Sequence, residues 1–110
     1  MEINVRKEQN AVTVTAIGRI DTLSAPQFDQ TLDNLIAEGD RCIIIDFELV
    51  DYISSAGLQT ILAAAKRLEK LSGEIILLNL SGVVEETIEL SGFDAIFRIF
   101  DNSNIDMDKI

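Results

Sequence analysis

"DYISSAGLQTILAAAKRLEK", residues 51–70, marks the point where a strand region gives way to a long amphipathic helix. Apolar residues recur at helical spacing after its two serines: Leu58, Ile61, Leu62, Ala65 and Leu68. Just upstream, RCIIIDF (residues 41–47) contains an apolar run without alternation, which is typical of a central strand covered on both faces. A buried strand followed by such a helix predicts an α/β domain.

The rest of the chain continues this succession of strands and helices. Residues 2–7 and 11–17 alternate between apolar and polar side chains, which predicts two half-buried strands. Ser24 and Gln27 resemble a capping box that starts a helix, and Gly39 is placed to end it. Three further elements are predicted downstream: a buried strand in EIILLNL (74–80), a short helix in SGVVEETIELSG (81–92) and a last strand in AIFRIF (95–100).

Composition excludes several classes of function. The chain has 110 residues, is 47% hydrophobic and carries a net charge of −10, so we expect one compact domain that does not bind nucleic acid or membranes. No signal peptide and no membrane-length apolar run is recognisable, which predicts an intracellular, cytoplasmic protein. The absence of histidine excludes histidine-based hydrolase triads. The single cysteine, Cys42, is predicted to be a buried, reduced thiol.

The serine pair at the start of the long helix has two interpretations. Serine is among the best N-cap residues, so Ser54 or Ser55 could be present only to start the helix. The same place is also where α/β folds tend to locate their chemistry, beyond the carboxyl end of a strand. Gly57 can be explained by close packing of the helix against a strand. Spacing alone does not distinguish a capping serine from a modified one.

Other chemistry has little support in the sequence. Asp46 ends a buried strand, as the phosphorylated aspartate of a receiver domain does, but only Asp21 could supply a second carboxylate after the earlier strands. We therefore interpret Asp46 as an acceptor for loop N–H groups. No glycine-rich phosphate-binding motif occurs. No catalytic residue, cofactor or metal site is predicted, and the chain is not expected to be an enzyme.

Three separated motifs resemble those of one family. IIIDFELVDYISSAGLQTILAAAKRL (43–68) is similar to the signature of the STAS domain family, in particular the small free-standing anti-sigma factor antagonists of bacteria. GRIDTLSAPQF (18–28) and ELSGFDAIFRIF (89–100) resemble the family's segments before the first helix and at the last strand. The resemblance implies an α/β, STAS-like single domain over residues 1–110, with a mixed four- to five-stranded sheet packed with about four helices.

The resemblance also implies a site. The family's phosphorylated serine corresponds to Ser55, and Ser54 occupies a position that is often aspartate in the family. Asp21 corresponds to an aspartate beside the phosphorylation loop that contributes to the partner surface. The residues expected to bind the partner are Asp21, Thr22, Ser54, Ala56, Gly57, Gln59 and Ala63.

The partners implied are an anti-sigma factor serine kinase with an ATPase fold and a PP2C-type serine phosphatase. In this interpretation the unphosphorylated protein binds the kinase and releases its sigma factor, and phosphorylation of Ser55 prevents binding. Two alternatives stay open. The chain could be a STAS scaffold subunit of a larger complex, stressosome-like or part of a lipid-transport system, or it could be a metal-dependent enzyme that uses Asp21, Asp46 and Asp51.

Overall fold

A computed structural model describes all residues from Met1 to Ile110. Six strands form, and their bounds are β1 Glu2–Lys7, β2 Val12–Ile20, β3 Cys42–Asp46, β4 Val50–Ile53, β5 Glu74–Leu78 and β6 Arg98–Phe100. Three α-helices alternate with them: α1 Ala25–Ala37, α2 Ser55–Lys70 and α3 Gly82–Leu90. Short 3-10 turns at Phe93–Ala95 and Met107–Lys109 complete the structure.

The strands form one mixed sheet in the order β1-β2-β3-β5-β6. β1 and β2 are an antiparallel hairpin, and the remaining pairs are parallel. The short strand β4 pairs with the end of β2, across an irregularity between Gly18 and Arg19. The predicted mixed α/β fold is confirmed, with one more strand than expected because the short connection between β3 and α2 contains β4.

Both faces of the sheet are covered, as the unbroken apolar run of β3 predicts. Ile43, Ile44 and Ile45 are each fully buried. The helices cover one face, where the large buried cluster includes Phe28 and Leu68. The other face buries a smaller cluster against partly buried residues of the C-terminal segment: Ile105, Met107 and Ile110. That segment contains only a 3-10 turn, and the three α-helices are close to the about four that were expected.

Two local expectations differ from the structure. The last strand is restricted to Arg98–Phe100, because the residues before it turn in a 3-10 helix. Cys42 is half-buried and not fully buried, and this burial, helped by the nearby Glu74 carboxylate, raises the pKa of its thiol to about 11. Gly39 does follow the end of α1, where its φ of 107° suits glycine. None of the helices combines the length and the apolar character that crossing a membrane would need.

Candidate functional site

The two serines at the start of α2 have different structural roles. Ser54 is the N-cap residue: its backbone is extended and its Oγ accepts a hydrogen bond from the Gly57 N–H at 3.2 Å. Ser55 is the first helical residue, its side chain is exposed, and its hydroxyl makes no hydrogen bond within the protein. The helix therefore needs only Ser54 for capping, which leaves the Ser55 hydroxyl free and accessible.

Gly57 allows the N-terminus of α2 to approach the sheet closely. A Cβ at this position would lie 2.8 Å from both Ile20 Cγ2 and Ile53 Cγ1. The Ser54 N–H also donates to the Ile20 carbonyl oxygen at 2.8 Å, which joins the start of α2 to the end of β2. The packing interpretation of Gly57 is thus confirmed. Gly57 is buried, so it lies beneath the surface that its neighbours expose.

The loop between β2 and α1 is ordered by Asp21. Its Oδ1 accepts hydrogen bonds from the N–H groups of Ser24 and Leu23, both at 3.0 Å. These bonds, that from Ser24 above all, hold the pKa of the Asp21 carboxyl below its ordinary value of 3.8, although partial desolvation opposes them. The Ser24 hydroxyl donates to the Arg19 carbonyl at 2.7 Å. The predicted capping box is therefore wrong, because the Ser24 side chain bonds backward into the loop and makes no cap bond.

The N-terminal halves of α1 and α2 enclose a shallow groove of about 400 Å³, which we call the α1–α2 groove. Its lining residues are Thr22, Ala25, Pro26, Asp29, Ala56, Gln59, Thr60 and Ala63. Four of the residues predicted to bind a partner meet here, namely Thr22, Ala56, Gln59 and Ala63. Ser55 directly precedes Ala56 in the helix. Ser54, Gly57 and Asp21 do not line this groove, and they instead position the elements that do.

No role was predicted from the sequence for Arg19, Tyr52 or Leu23. The Arg19 guanidinium lies 4.2 Å from the centre of the Tyr52 ring and 3.8 Å from Asp21 Oδ2, within reach of both a cation–π contact and an ion pair. Leu23 projects from the loop and is 92% exposed. The only signal in the sequence for Leu23 is a large apolar residue that no helical or strand periodicity accounts for.

The carboxylates considered for metal chemistry are not brought together. Asp46 Oδ1 accepts the Glu48 N–H at 3.0 Å and the Asn79 side-chain amide at 3.1 Å, which confirms its predicted role as an acceptor at the strand end. No group of three or more Asp, Glu, His or Cys side chains is placed to hold a metal ion. Asp21 and Asp51 therefore give no support to the metal-dependent alternative.

Comparison with known proteins places this geometry in a family. The model of the STAS domain matches residues 2–104. The chain belongs to the STAS domain family. Among its relatives is BtrV of Bordetella bronchiseptica, provisionally named as an anti-sigma factor antagonist, which is 33% identical over 99 residues, 90% of this chain and 85% of BtrV. The family inferred from the sequence motifs is thereby confirmed.

Two solved structures are similar in fold. A Thermotoga maritima protein, provisionally described as an anti-sigma factor antagonist, superposes with a TM-score of 0.90 at 20% identity, over 98% of this chain and 93% of that one. The Bacillus cell fate determinant SpoIIAA in its phosphorylated form gives a TM-score of 0.74 at 23% identity, over 94% and 93% of the two chains. At these identities the likeness establishes the fold alone.

Proposed function

We propose that this STAS protein is an anti-sigma factor antagonist whose binding to an anti-sigma serine kinase is switched off by phosphorylation of Ser55. The observation that carries the proposal is the exposed Ser55 hydroxyl, which has no capping role and directly precedes the α1–α2 groove residue Ala56. The naming of BtrV as an anti-sigma factor antagonist supports the regulatory role. A phosphorylated form of the structurally similar SpoIIAA supports the modification.

In the unphosphorylated state the α1–α2 groove is the docking surface. Ala56 and Ala63 present only methyl groups, so a partner's backbone or side chains can approach α2 closely. Thr22 and Gln59 supply hydrogen-bonding groups at the same surface. Occupation of the kinase by this surface displaces the sigma factor, and transcription by that sigma factor follows.

Phosphorylation acts by local electrostatics. A phosphate on Ser55 adds about −1.5 to −2 charges beside a groove that already contains the Asp29 carboxylate. In the free protein this phosphate is solvated and lies at the positive end of the α2 dipole, which favours an anion by about 0.3–1 kcal/mol. In the complex it would be buried without a partner, at a cost of several kcal/mol, and each 1.4 kcal/mol is tenfold in affinity. The switch therefore needs no refolding.

A reversible switch also requires a second enzyme. We propose a PP2C-type serine phosphatase that removes the phosphate, for which the exposed position at the helix start leaves room. Because the forward reaction consumes ATP, the proposal places the protein in the cytoplasm.

The site assignment is tested by mapping the modification. Each purified anti-sigma kinase of the source bacterium is incubated with the protein and ATP, and the phosphopeptide is identified by mass spectrometry. We expect one phosphate, lost in Ser55→Ala and retained in Ser54→Ala. Phosphorylation of Ser55→Ala at unchanged stoichiometry would contradict the assignment.

The switch itself is tested by binding. Ser55→Glu should weaken binding to the kinase at least about 100-fold. Ser81→Glu is the matched control, because it adds the same charge at the N-cap of α3, where the serine side chain makes no cap bond. Equal affinity of Ser55→Glu and wild type for the kinase would contradict the proposed electrostatic mechanism of the switch. Elution of the isolated protein as a stable, large assembly would favour a scaffold role instead.

A further inference from the structure

We infer that Leu23 is the apolar anchor by which the protein recognises its kinase, an inference that rests on the proposed function. Leu23 is 92% exposed, the highest value among the large apolar residues. Single exposed apolar residues are common on protein surfaces, so exposure alone carries no conclusion. Two further observations, the rigidity of its loop and its position between two grooves, distinguish Leu23.

The loop displays Leu23 in a fixed conformation. The Leu23 N–H is bonded to Asp21 Oδ1 at 3.0 Å, and the same oxygen accepts the Ser24 N–H. The Ser24 hydroxyl in turn accepts the Asp21 N–H at 2.9 Å and donates to the Arg19 carbonyl at 2.7 Å. A loop whose backbone is held by such a network loses little backbone entropy on binding, so more of the burial of its side chains is converted into affinity. An exposed apolar side chain on a pre-organised loop is suited to act as an interface anchor.

Leu23 also lies next to the proposed docking surface. Its neighbour Thr22 lines the α1–α2 groove together with Ala56, next to Ser55. Leu23 itself lines a second open groove of about 540 Å³, with Met1, Ile17, Gly18 and Gln27 among its other lining residues. The β2–α1 loop thus contributes to both grooves, and Leu23 is its exposed apolar residue. A partner that covers Ser55 and both grooves encloses this side chain.

The partner implied is a kinase with an apolar pocket facing the β2–α1 loop. A kinase of the same class without this pocket would leave Leu23 in water or in contact with polar groups, and it would bind less tightly. Leu23 therefore acts as a specificity determinant among related kinases, whereas Ser55 acts as the switch. The two roles are separable by experiment.

The test compares Leu23 with an equally exposed leucine elsewhere. Leu90, at the C-terminal end of α3, is 89% exposed and provides the matched control. Dissociation constants are measured by calorimetry with the kinase that phosphorylates Ser55. We expect Leu23→Ala and Leu23→Gln to raise Kd about 10- to 30-fold, Leu23→Met to stay within about threefold, and Leu90→Ala to stay within about twofold of wild type. Thermal midpoints should be unchanged in all four variants, because neither leucine is packed.

Two outcomes would overturn the inference: Leu23→Ala binding within twofold of wild type, or Leu90→Ala weakening binding as much as Leu23→Ala. Ser55→Glu is measured in the same series. If Ser55→Glu binds like wild type while Leu23→Ala is impaired, the phosphorylation switch at Ser55 is rejected and the anchoring role of Leu23 is retained. If Ser55→Glu loses binding and Leu23→Ala does not, the anchoring role of Leu23 is rejected and the phosphorylation switch at Ser55 is retained.

Discussion

The adjacent serines of α2 offer a test of the structural argument that needs no partner. Ser54→Ala removes the Oγ that accepts the Gly57 N–H at 3.2 Å, while Ser55→Ala removes a hydroxyl with no bond in the protein. Loss of a serine N-cap costs about 1 kcal/mol of unfolding free energy, with a range of roughly 0.5–2 kcal/mol. At the first helical position, alanine is expected to be equal to serine or slightly better, by at most about 0.5 kcal/mol. The two variants should therefore differ by about 1–1.5 kcal/mol.

Urea denaturation resolves a difference of this size. With a slope of about 1–3 kcal/mol per molar urea, the Ser54→Ala midpoint should fall by about 0.3–1 M and the Ser55→Ala midpoint should stay or rise slightly. Thermal unfolding should show the same order, with Ser54→Ala lower by about 4 °C or more. Each variant is the other's control, since the substitution is identical and the positions are neighbours.

Two results would contradict the different roles assigned to Ser54 and Ser55. If Ser55→Ala loses as much stability as Ser54→Ala, then the Ser55 hydroxyl takes part in capping and is not free. If Ser54→Ala loses nothing, then the bond to Gly57 does not contribute, and the division of roles between the serines is wrong. Either result would remove the structural basis for choosing Ser55 as the modified residue.

Three other perturbations have defined outcomes. Gly57→Ala should lower the unfolding free energy by about 1–3 kcal/mol in urea titrations, since its Cβ would lie 2.8 Å from Ile20 and Ile53; wild-type stability would contradict this packing. The pKa of Asp21 is lowered by hydrogen bonds in its loop, so its stabilising effect is present above pH 3.8 and is lost as the pH falls through the lowered pKa. The stability difference between wild type and Asp21→Asn should accordingly shrink between about pH 5 and about pH 2, and a constant difference would refute it. Because the pKa of Cys42 is raised to about 11, its alkylation by iodoacetamide should be slow at neutral pH and still accelerate above pH 9; a plateau below that pH would contradict the assigned burial.

The parts of the fold that follow from local pattern were predictable. The unbroken apolar run of β3 predicts a strand covered on both faces, and the structure buries Ile43 and Ile44 on opposite sides. The helical spacing after Ser55 likewise predicts α2, which runs to Lys70. Each of these signals is contained within one element, so it can be recognised without knowing what the element packs against.

The parts that depend on distant partners were not predictable from pattern. β4 has only four residues, and it forms because Gly18 and the end of β2 offer backbone groups to pair with. The Ser24 capping box failed for a similar reason: its hydroxyl is engaged by the Arg19 carbonyl, upstream of the helix. The α1–α2 groove also requires two helices to pack side by side, with an ion pair between Arg67 and Asp33.

The different roles of Ser54 and Ser55 give a physical reason for a phosphorylation switch at the start of α2. A phosphate on the cap residue Ser54 would esterify the Oγ that accepts the Gly57 N–H, so the modification would act directly on the helix cap. One residue further on, the modification leaves the cap intact and adds an anion where the helix dipole favours it. Two requirements then favour separate, neighbouring residues for capping and for modification. The helix must start at a fixed point on the sheet, and the modified hydroxyl must remain in solvent. Because the first requirement is met by Ser54, the charge on Ser55 can change the docking surface without changing the fold.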